Sequence, residues 1–350
     1  MATSHRQPVK RVAAMSSVMA VAFFTGLAGA QERIEITGVW TSEEVGGLLL
    51  ASVNGVAETP RGMIWVSDTR VETVYSVNPR ADTFTSVARS GEGPGEVEGP
   101  DRIAIMPDGN MAVFDFGKVE IITPEGRPVR RVRLPVEVSW PKGFAVLPSG
   151  GFAISGGIYS IDAAIHEFGS AGELVRSWAD QSPALEFRAR IVGSGGALFA
   201  GAGGLLYSQS APHRITEYDY APGDDPEGRI LADLPEMLVH PGDEVIVESG
   251  AGPTWRRSFH PYFPQSRAVF ELPGGRILNV VVYKDDGYSV WQLFGSPGER
   301  SSQSGLRALV AEGRADQAYV PWFLCDDGTI LATRLTPTTD VPIVVRLQVR

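Results

Sequence analysis

A single cysteine, Cys325, in a chain of 350 residues excludes an internal disulfide. It closes the apolar run Val320 to Cys325 with no histidine or basic residue beside it, which marks a small buried thiol rather than a nucleophile. Histidine is nearly as scarce. Beyond the first thirty residues His166, His213, His240 and His260 remain, and none pairs at zinc-ligand spacing. His166 stands between Ile165 and Glu167 on an expected strand and is read as a surface residue. The chain has no Gly-x-Ser-x-Gly elbow, P-loop or Gly-x-Gly-x-x-Gly fingerprint, and Gly91-Glu-Gly93-Pro-Gly95-Glu96 departs from the last at its third glycine. Coiled-coil heptads, low-complexity tails and interdomain linkers are also missing.

The early apolar run, Val18 to Leu27, is short for a bilayer span. Arg6, Lys10 and Arg11 precede it and Ala28-Gly29-Ala30 follows, so residues 1–30 read as a secretory signal. Ala30 stands where a lipid anchor would need cysteine, so soluble export, periplasmic or secreted, is expected without a stable membrane anchor. Cleavage would make the formal charge of -10 three units more negative. Such a surface repels nucleic acid, which is not an expected partner.

What the chain has in quantity is turn chemistry, with 40 glycines and 25 prolines. From Ser90 to Gly126, short apolar runs are divided by Pro107-Asp108-Gly109 and Pro124-Glu125-Gly126, and the run Val129 to Leu134 follows. This is a four-stranded antiparallel meander, the unit of a β-propeller. Pro60-Arg-Gly-Met-Ile-Trp-Val-Ser-Asp68 aligns without gaps on Pro107-Asp-Gly-Asn-Met-Ala-Val-Phe-Asp115. Related turns at Pro148-Ser-Gly150, Gly193-Ser-Gly195, Pro273-Gly-Gly275 and Asp326-Asp-Gly328 bring the count to six. A later strand recurs in step, at Val74–Val77, Val119–Ile122, Ala164–Phe168, Ile215–Tyr218, Ser289–Leu293 and Pro342–Leu347.

The sixth unit is left one strand short at the C-terminus, and the alternating run Arg33 to Val39 has no unit of its own. The expectation is an all-β, six-bladed propeller, a single domain over residues 31–350, closed by its N-terminal strand. The longest step between turns places an insertion at about 235–264, between blades four and five. It contains Asp243-Glu-Val-Ile-Val-Glu248, a candidate hairpin. Glycine density from Gly193 to Gly204 suggests close backbone packing.

The glycine-rich loop, the Ile-Ala-Ile-x-Pro-Asp-Gly turn and the Val-x-Asp strand end together resemble an NHL-type repeat, of the kind found in exported bacterial propellers. Propellers of the gluconolactonase kind are a further resemblance. They imply an axial calcium held by Glu, Asn and Asp side chains, and a metal-assisted hydrolase or lyase as the alternative function. For that role the chain offers Asn54 and Asn279 as axial candidates, and Asp68, Asp115 and Asp285 at strand ends, where turn hydrogen bonding is the commoner use. A third reading, an assembly component like the TolB propeller, lacks that protein's accompanying domain.

In such a propeller the loops between second and third strands gather around the central funnel. Here they carry Arg70, Lys118, Tyr159, His213, Lys284 and Arg334, and the insertion adds Trp255, Arg256, Arg257, His260 and Tyr262. Aromatic and cationic side chains of this kind dominate binding hot spots, and a basic rim on an acidic protein favours an anionic ligand. The sequence therefore points to a non-enzymatic, monomeric recognition scaffold for a protein, peptide or glycan, with no assigned catalytic residue and no required cofactor. Arg127, Arg130, Arg131 and Arg133 are read as a solvated outer face.

Overall fold

A computed structural model describes residues 34–40, 50–80, 83–136, 138–158, 161–180, 195–210, 213–220, 226–233, 244–249, 256–261, 265–283, 288–295, 308–313, 319–335 and 341–349. Residues 32–350 form one compact unit, and the expected signal lies outside the described residues.

The described elements are all strands. After β1 (Ile34–Trp40), blade one comprises β2 (Val53–Glu58), β3 (Ile64–Asp68), β4 (Thr73–Asn78) and β5 (Thr83–Ala88). Blade two comprises β6 (Pro100–Ile105), β7 (Met111–Asp115), β8 (Lys118–Ile122) and β9 (Pro128–Arg133). Blade three comprises β10 (Ser139–Val146), β11 (Phe152–Gly157), β12 (Ile165–Phe168) and β13 (Leu174–Trp178). Blade four comprises β14 (Ala197–Ala200), β15 (Leu205–Ser210), β16 (His213–Tyr218) and β17 (Gly228–Asp233). A separate hairpin, β18 (Glu244–Ser249) and β19 (Arg256–Pro261), precedes blade five, which comprises β20 (Gln265–Leu272), β21 (Arg276–Tyr283), β22 (Tyr288–Phe294) and β23 (Ala308–Gly313). Blade six comprises β24 (Val320–Leu324), β25 (Ile330–Leu335) and β26 (Pro342–Val349).

Each blade is an antiparallel meander in sequence order, and β1 pairs with β26 as the fourth strand of blade six, from Ile34 opposite Val349 to Trp40 opposite Val344. The pairing joins the chain's two ends and covers the outer edge of β26. The first strands of successive blades pack on one another around the ring, β2 on β6, β6 on β10, and so on to β24 on β2, so they line the axis. Six apolar clusters result, one in each interface between blades. Trp65, Phe152, Phe168, Tyr207 and Trp291 are fully buried in them. The second strands are covered on both faces, so β3, β7 and β11 are buried along their whole length.

Blade four departs from the sequence expectation. Its first turn is Gly201 to Gly204, closed by the Gly201 amide donating to the Gly204 carbonyl at 2.9 Å, not Gly193-Ser-Gly195. Gly195 instead lies against β11 of blade three and Gly196 against β15 of its own blade. A Cβ on Gly195 would come within 2.8 Å of the Gly156 amide nitrogen, and one on Gly196 would collide with the Ser208 carbonyl. These glycines serve close backbone packing. In the insertion, Glu244–Ser249 pairs with Arg256–Pro261, supplying the partner strand for the candidate hairpin.

Candidate functional site

The inner strands share an irregularity that builds a site. In five of the six the pairing with the second strand shifts register near the strand's start: between Val53 and Gly55, Pro100 and Ile103, Ser139 and Gly143, Ser266 and Ala268, and Pro321 and Phe323. Only β14 keeps regular pairing. The skipped positions include Asn54, Asp101, Arg102, Lys142, Arg267 and Trp322, all of which line the axial space. A residue released from the ladder can be re-aimed, and bulges recur beside functional sites for that reason.

The space opens as a cleft of about 610 Å³ and narrows to a pocket of about 50 Å³ bordered by Trp322. Arg102 and Arg267 both lie over the Trp322 ring, with guanidinium carbons 5.0 and 4.5 Å from its centroid. Such stacking suits delocalised cations. Arg102 donates to the Lys142 carbonyl at 3.0 Å; its Nε has no hydrogen-bond partner among the described residues, and the Asp101 carboxylate stands 3.8 Å away. Burial, then the charge of Arg102, lowers the Arg267 pKa to about 9, with Asp101 opposing. Arg267 therefore stays charged at neutral pH. One wall of the cleft is apolar, formed by Phe114, Phe116, Leu134, Pro135, Val136 and Val138.

The cleft draws on the loops between second and third strands through Thr69, Phe116 and Gly117, the funnel face expected from sequence. The residues singled out there are placed as follows. Arg70 is exposed in the turn after β3, outside the cleft lining. Lys118 is buried, 2.9 Å from Glu98 and 3.3 Å from Asp115. Its burial disfavours charge, but the bonds to Glu98 and Asp115 outweigh that and raise its pKa. His213 is buried between blades four and five, where its Nε2 accepts from Asn279 Nδ2 at 2.9 Å. Arg334 lies 5.7 Å from the Tyr319 ring centroid. Tyr159, Lys284, Trp255 and Tyr262 fall outside the described residues, and Arg256, Arg257 and His260 are described only as backbone of β19.

Asn54 lines the cleft, whereas Asn279 is buried in the same network as His213. Asp68 accepts the amides of Ala51, Ser52 and Arg70, and Asp115 those of Glu98 and Gly99. Both hold the chain entering an inner strand, the turn role expected of them. Asp285 lies outside the described residues. The axial set does not fit calcium, which takes six to eight oxygen ligands. The described axis offers Asp101 and Asn54 against three cationic side chains, and no group of three His, Cys, Asp or Glu gathers among the described residues.

Two further expectations change. Arg131 is no free surface cation: it pairs with Glu120 and donates to the carbonyls of Glu92 and Gly93, at 2.6 and 2.7 Å, so it pins the glycine-rich loop. His166 is fully buried, its Nδ1 2.9 Å from Ser177 Oγ and its Nε2 3.1 Å from the Gly156 carbonyl. Burial pushes its pKa down to about 4, the Gly156 carbonyl opposing. The unfolded chain, at about 6.5, binds this proton more readily, so the stability contribution is complete above pH 6.5 and is lost as pH falls towards 4. That amounts to about 3 kcal/mol. Urea unfolding at pH 7 and pH 4.5 should show this acid limb flattened in His166→Gln; equal pH dependence in parent and variant would refute it. Cys325 is buried, and burial pushes its thiol up to about 12, as an inert core group requires.

No family model and no curated protein matches the chain. Solved structures do. Virginiamycin B lyase from Staphylococcus aureus aligns with a TM-score of 0.50 and 13% identity, over 91% of this chain and 99% of that one. A gluconolactonase from Xanthomonas campestris aligns with a TM-score of 0.52 and 11% identity, over 86% and 88%. A calcium-binding protein, regucalcin, from Agrobacterium tumefaciens strain C58 aligns with a TM-score of 0.51 and 12% identity, over 90% and 96%. At these identities the likeness is one of fold, and it places the chain among six-bladed β-propellers.

Proposed function

We propose that this protein is an exported, NHL-like propeller that recognises, without transforming, a ligand bearing an anionic group, bound at the axial cleft. The observation that carries the reading is that Arg102, Arg267 and Lys142 line the axial cleft with Asp101 as the one carboxylate among its described lining residues, in a chain whose formal charge is -10. Positive charge concentrated at an axis within an acidic molecule focuses field on an entering anion. A guanidinium group also matches the geometry of a carboxylate or phosphate, and Arg102 is near enough to Arg267 for its charge to lower the Arg267 pKa. The NHL kinship draws on the gapless match of Pro60–Asp68 with Pro107–Asp115, which fall on equivalent turns and second strands of blades one and two. Export draws on the composition of residues 1–30.

The alternative, a lactonase-like or lyase-like enzyme with an axial cation, would have to place that cation among like charges. Both readings are separated by thermal unfolding of residues 31–350 with acetate, citrate, phosphate or calcium at constant ionic strength. An anion at about 100 times its dissociation constant should stabilise the parent by about 2.7 kcal/mol, and the shift should vanish in Arg267→Gln. Stabilisation by calcium but not by any anion, or an anion shift equal in Arg267→Gln, would sink the proposal. So would turnover of a panel of lactones and esters by the parent.

A further inference from the structure

Phe116 stands at the mouth of the cleft in a conformation that its side chain opposes. It and Gly117 are the two central residues of the turn joining β7 to β8, with φ of 35° and 77°. Two positive φ values in a two-residue hairpin turn follow the type I′ pattern, whose favoured residues are Asn, Asp and Gly. A phenylalanine in the first position meets a steric penalty that asparagine largely escapes. Nor is the ring used to fill a core, since Phe116 is 75% exposed. It lies beside Gly99, where any Cβ would collide with the ring, so the absence of a side chain there makes room for it. Strain retained at an exposed aromatic on a cleft rim points to a contact with something that enters. Phe116 borders the same space as Arg102, Arg267 and Lys142, and Phe114, Pro135 and Val136 continue its apolar surface.

We infer that the cleft takes a small carboxylic acid with an aryl body, the carboxylate held by Arg102 and Arg267 and the ring held between Phe116 and the wall of Phe114, Pro135 and Val136. This rests on the anion reading and deepens it by assigning the rest of the ligand. The two halves of the cleft differ in kind. The cationic floor, with Asp101 as its one carboxylate among the described residues, accepts a single compact anion in preference to a neutral group, and the apolar wall favours a flat body over a hydrated one. A volume of about 610 Å³ is in the range of small-molecule sites.

The test uses phenylacetate, acetate and 2-phenylethanol, titrated against the parent and Phe116→Asn by calorimetry and ligand-observed magnetic resonance. In the parent, phenylacetate should bind at least tenfold more tightly than acetate or 2-phenylethanol. In Phe116→Asn that advantage over acetate should fall about tenfold while acetate itself is unchanged. The ligand-free variant should melt at a higher temperature than the parent, because asparagine suits the turn. Equal phenylacetate affinity in parent and variant, or equal affinity for phenylacetate and acetate in the parent, overturns the aryl assignment and leaves the anion reading standing. Failure of both acids to bind overturns the aryl assignment, and failure of citrate and phosphate as well overturns the anion reading with it. A variant that melts lower than the parent would show that the ring serves the fold and would also overturn the assignment.

Discussion

Replacing Asn279 with alanine should cost about 3–5 kcal/mol of folding stability, because one buried amide satisfies partners from two blades at once. Its Oδ1 accepts from Ser208 Oγ at 2.8 Å and from Ser266 Oγ at 3.2 Å, and its Nδ2 donates to Gln292 Oε1 and His213 Nε2, both at 2.9 Å. All four hydrogen-bonding capacities of the amide are thereby used. Ser208 and His213 belong to blade four, Ser266 and Gln292 to blade five, and all of them are buried. Alanine would leave four polar groups to re-pair in a space closed to bulk water. The Ser208 and Ser266 hydroxyls, 2.5 Å apart, can retain each other, which is why the loss stays below the sum of four orphaned groups. Urea denaturation of parent and variant measures the difference. A loss under about 1 kcal/mol would mean that water or relaxation replaces the amide, and the network would not be what joins these blades.

The ring was legible in the sequence because its periodic signals are local. The Pro-x-Gly turn and the Val-x-Asp strand end each occupy a few residues, and their recurrence fixes the blades without knowledge of any contact. The unpaired run Arg33 to Val39 and the missing strand of blade six could be matched by count alone, and β1 pairing with β26 agrees with that inference. Blade four misled because its glycines act at two places. Gly195 and Gly196 admit neighbouring backbone while Gly201 and Gly204 form the turn, and a sequence pattern does not separate these uses.

His166 illustrates a different failure. Alternation marks exposure only where one face of a sheet meets water, whereas a blade is covered by its neighbours on both faces, so adjacent Ile165 and His166 are both buried. The cleft was half legible. Its face follows from propeller connectivity, but its side chains come from register shifts in five inner strands that lie far apart in the chain. The available signal was a polar or cationic residue interrupting the first half of four inner strands, at Asn54, Arg102, Lys142 and Arg267. Loop cations drew attention instead, and Lys118 shows why loop position is a poor guide. Its charge is already engaged by Glu98 and Asp115 and is not aimed at the funnel.

Asp115→Ala should also destabilise the protein by about 3–5 kcal/mol, for a reason that ties the fold to the cleft. The carboxylate is fully buried and accepts the Glu98 amide at 3.0 Å and the Gly99 amide at 2.6 Å, with Lys118 Nζ 3.3 Å away. Removing it orphans two amides and leaves the buried Lys118 ammonium with Glu98 as its remaining ion-pair partner among the described residues. Asp108 supplies the control. It is an exposed turn residue accepting the Asn110 amide at 3.0 Å, and its replacement by alanine should cost less than about 1 kcal/mol. The larger loss should be accompanied by weaker ligand binding, since Gly99, which Asp115 fixes, is the residue on which the Phe116 ring rests. Urea denaturation and a phenylacetate titration on the same two variants would read both effects. If Asp115→Ala were as mild as Asp108→Ala, the strand-end aspartate would be only a turn residue and not the clamp that sets the inner strand. If stability fell while phenylacetate affinity held, the position of Phe116 would not depend on Gly99 being fixed, and the link from this clamp to the cleft would be lost.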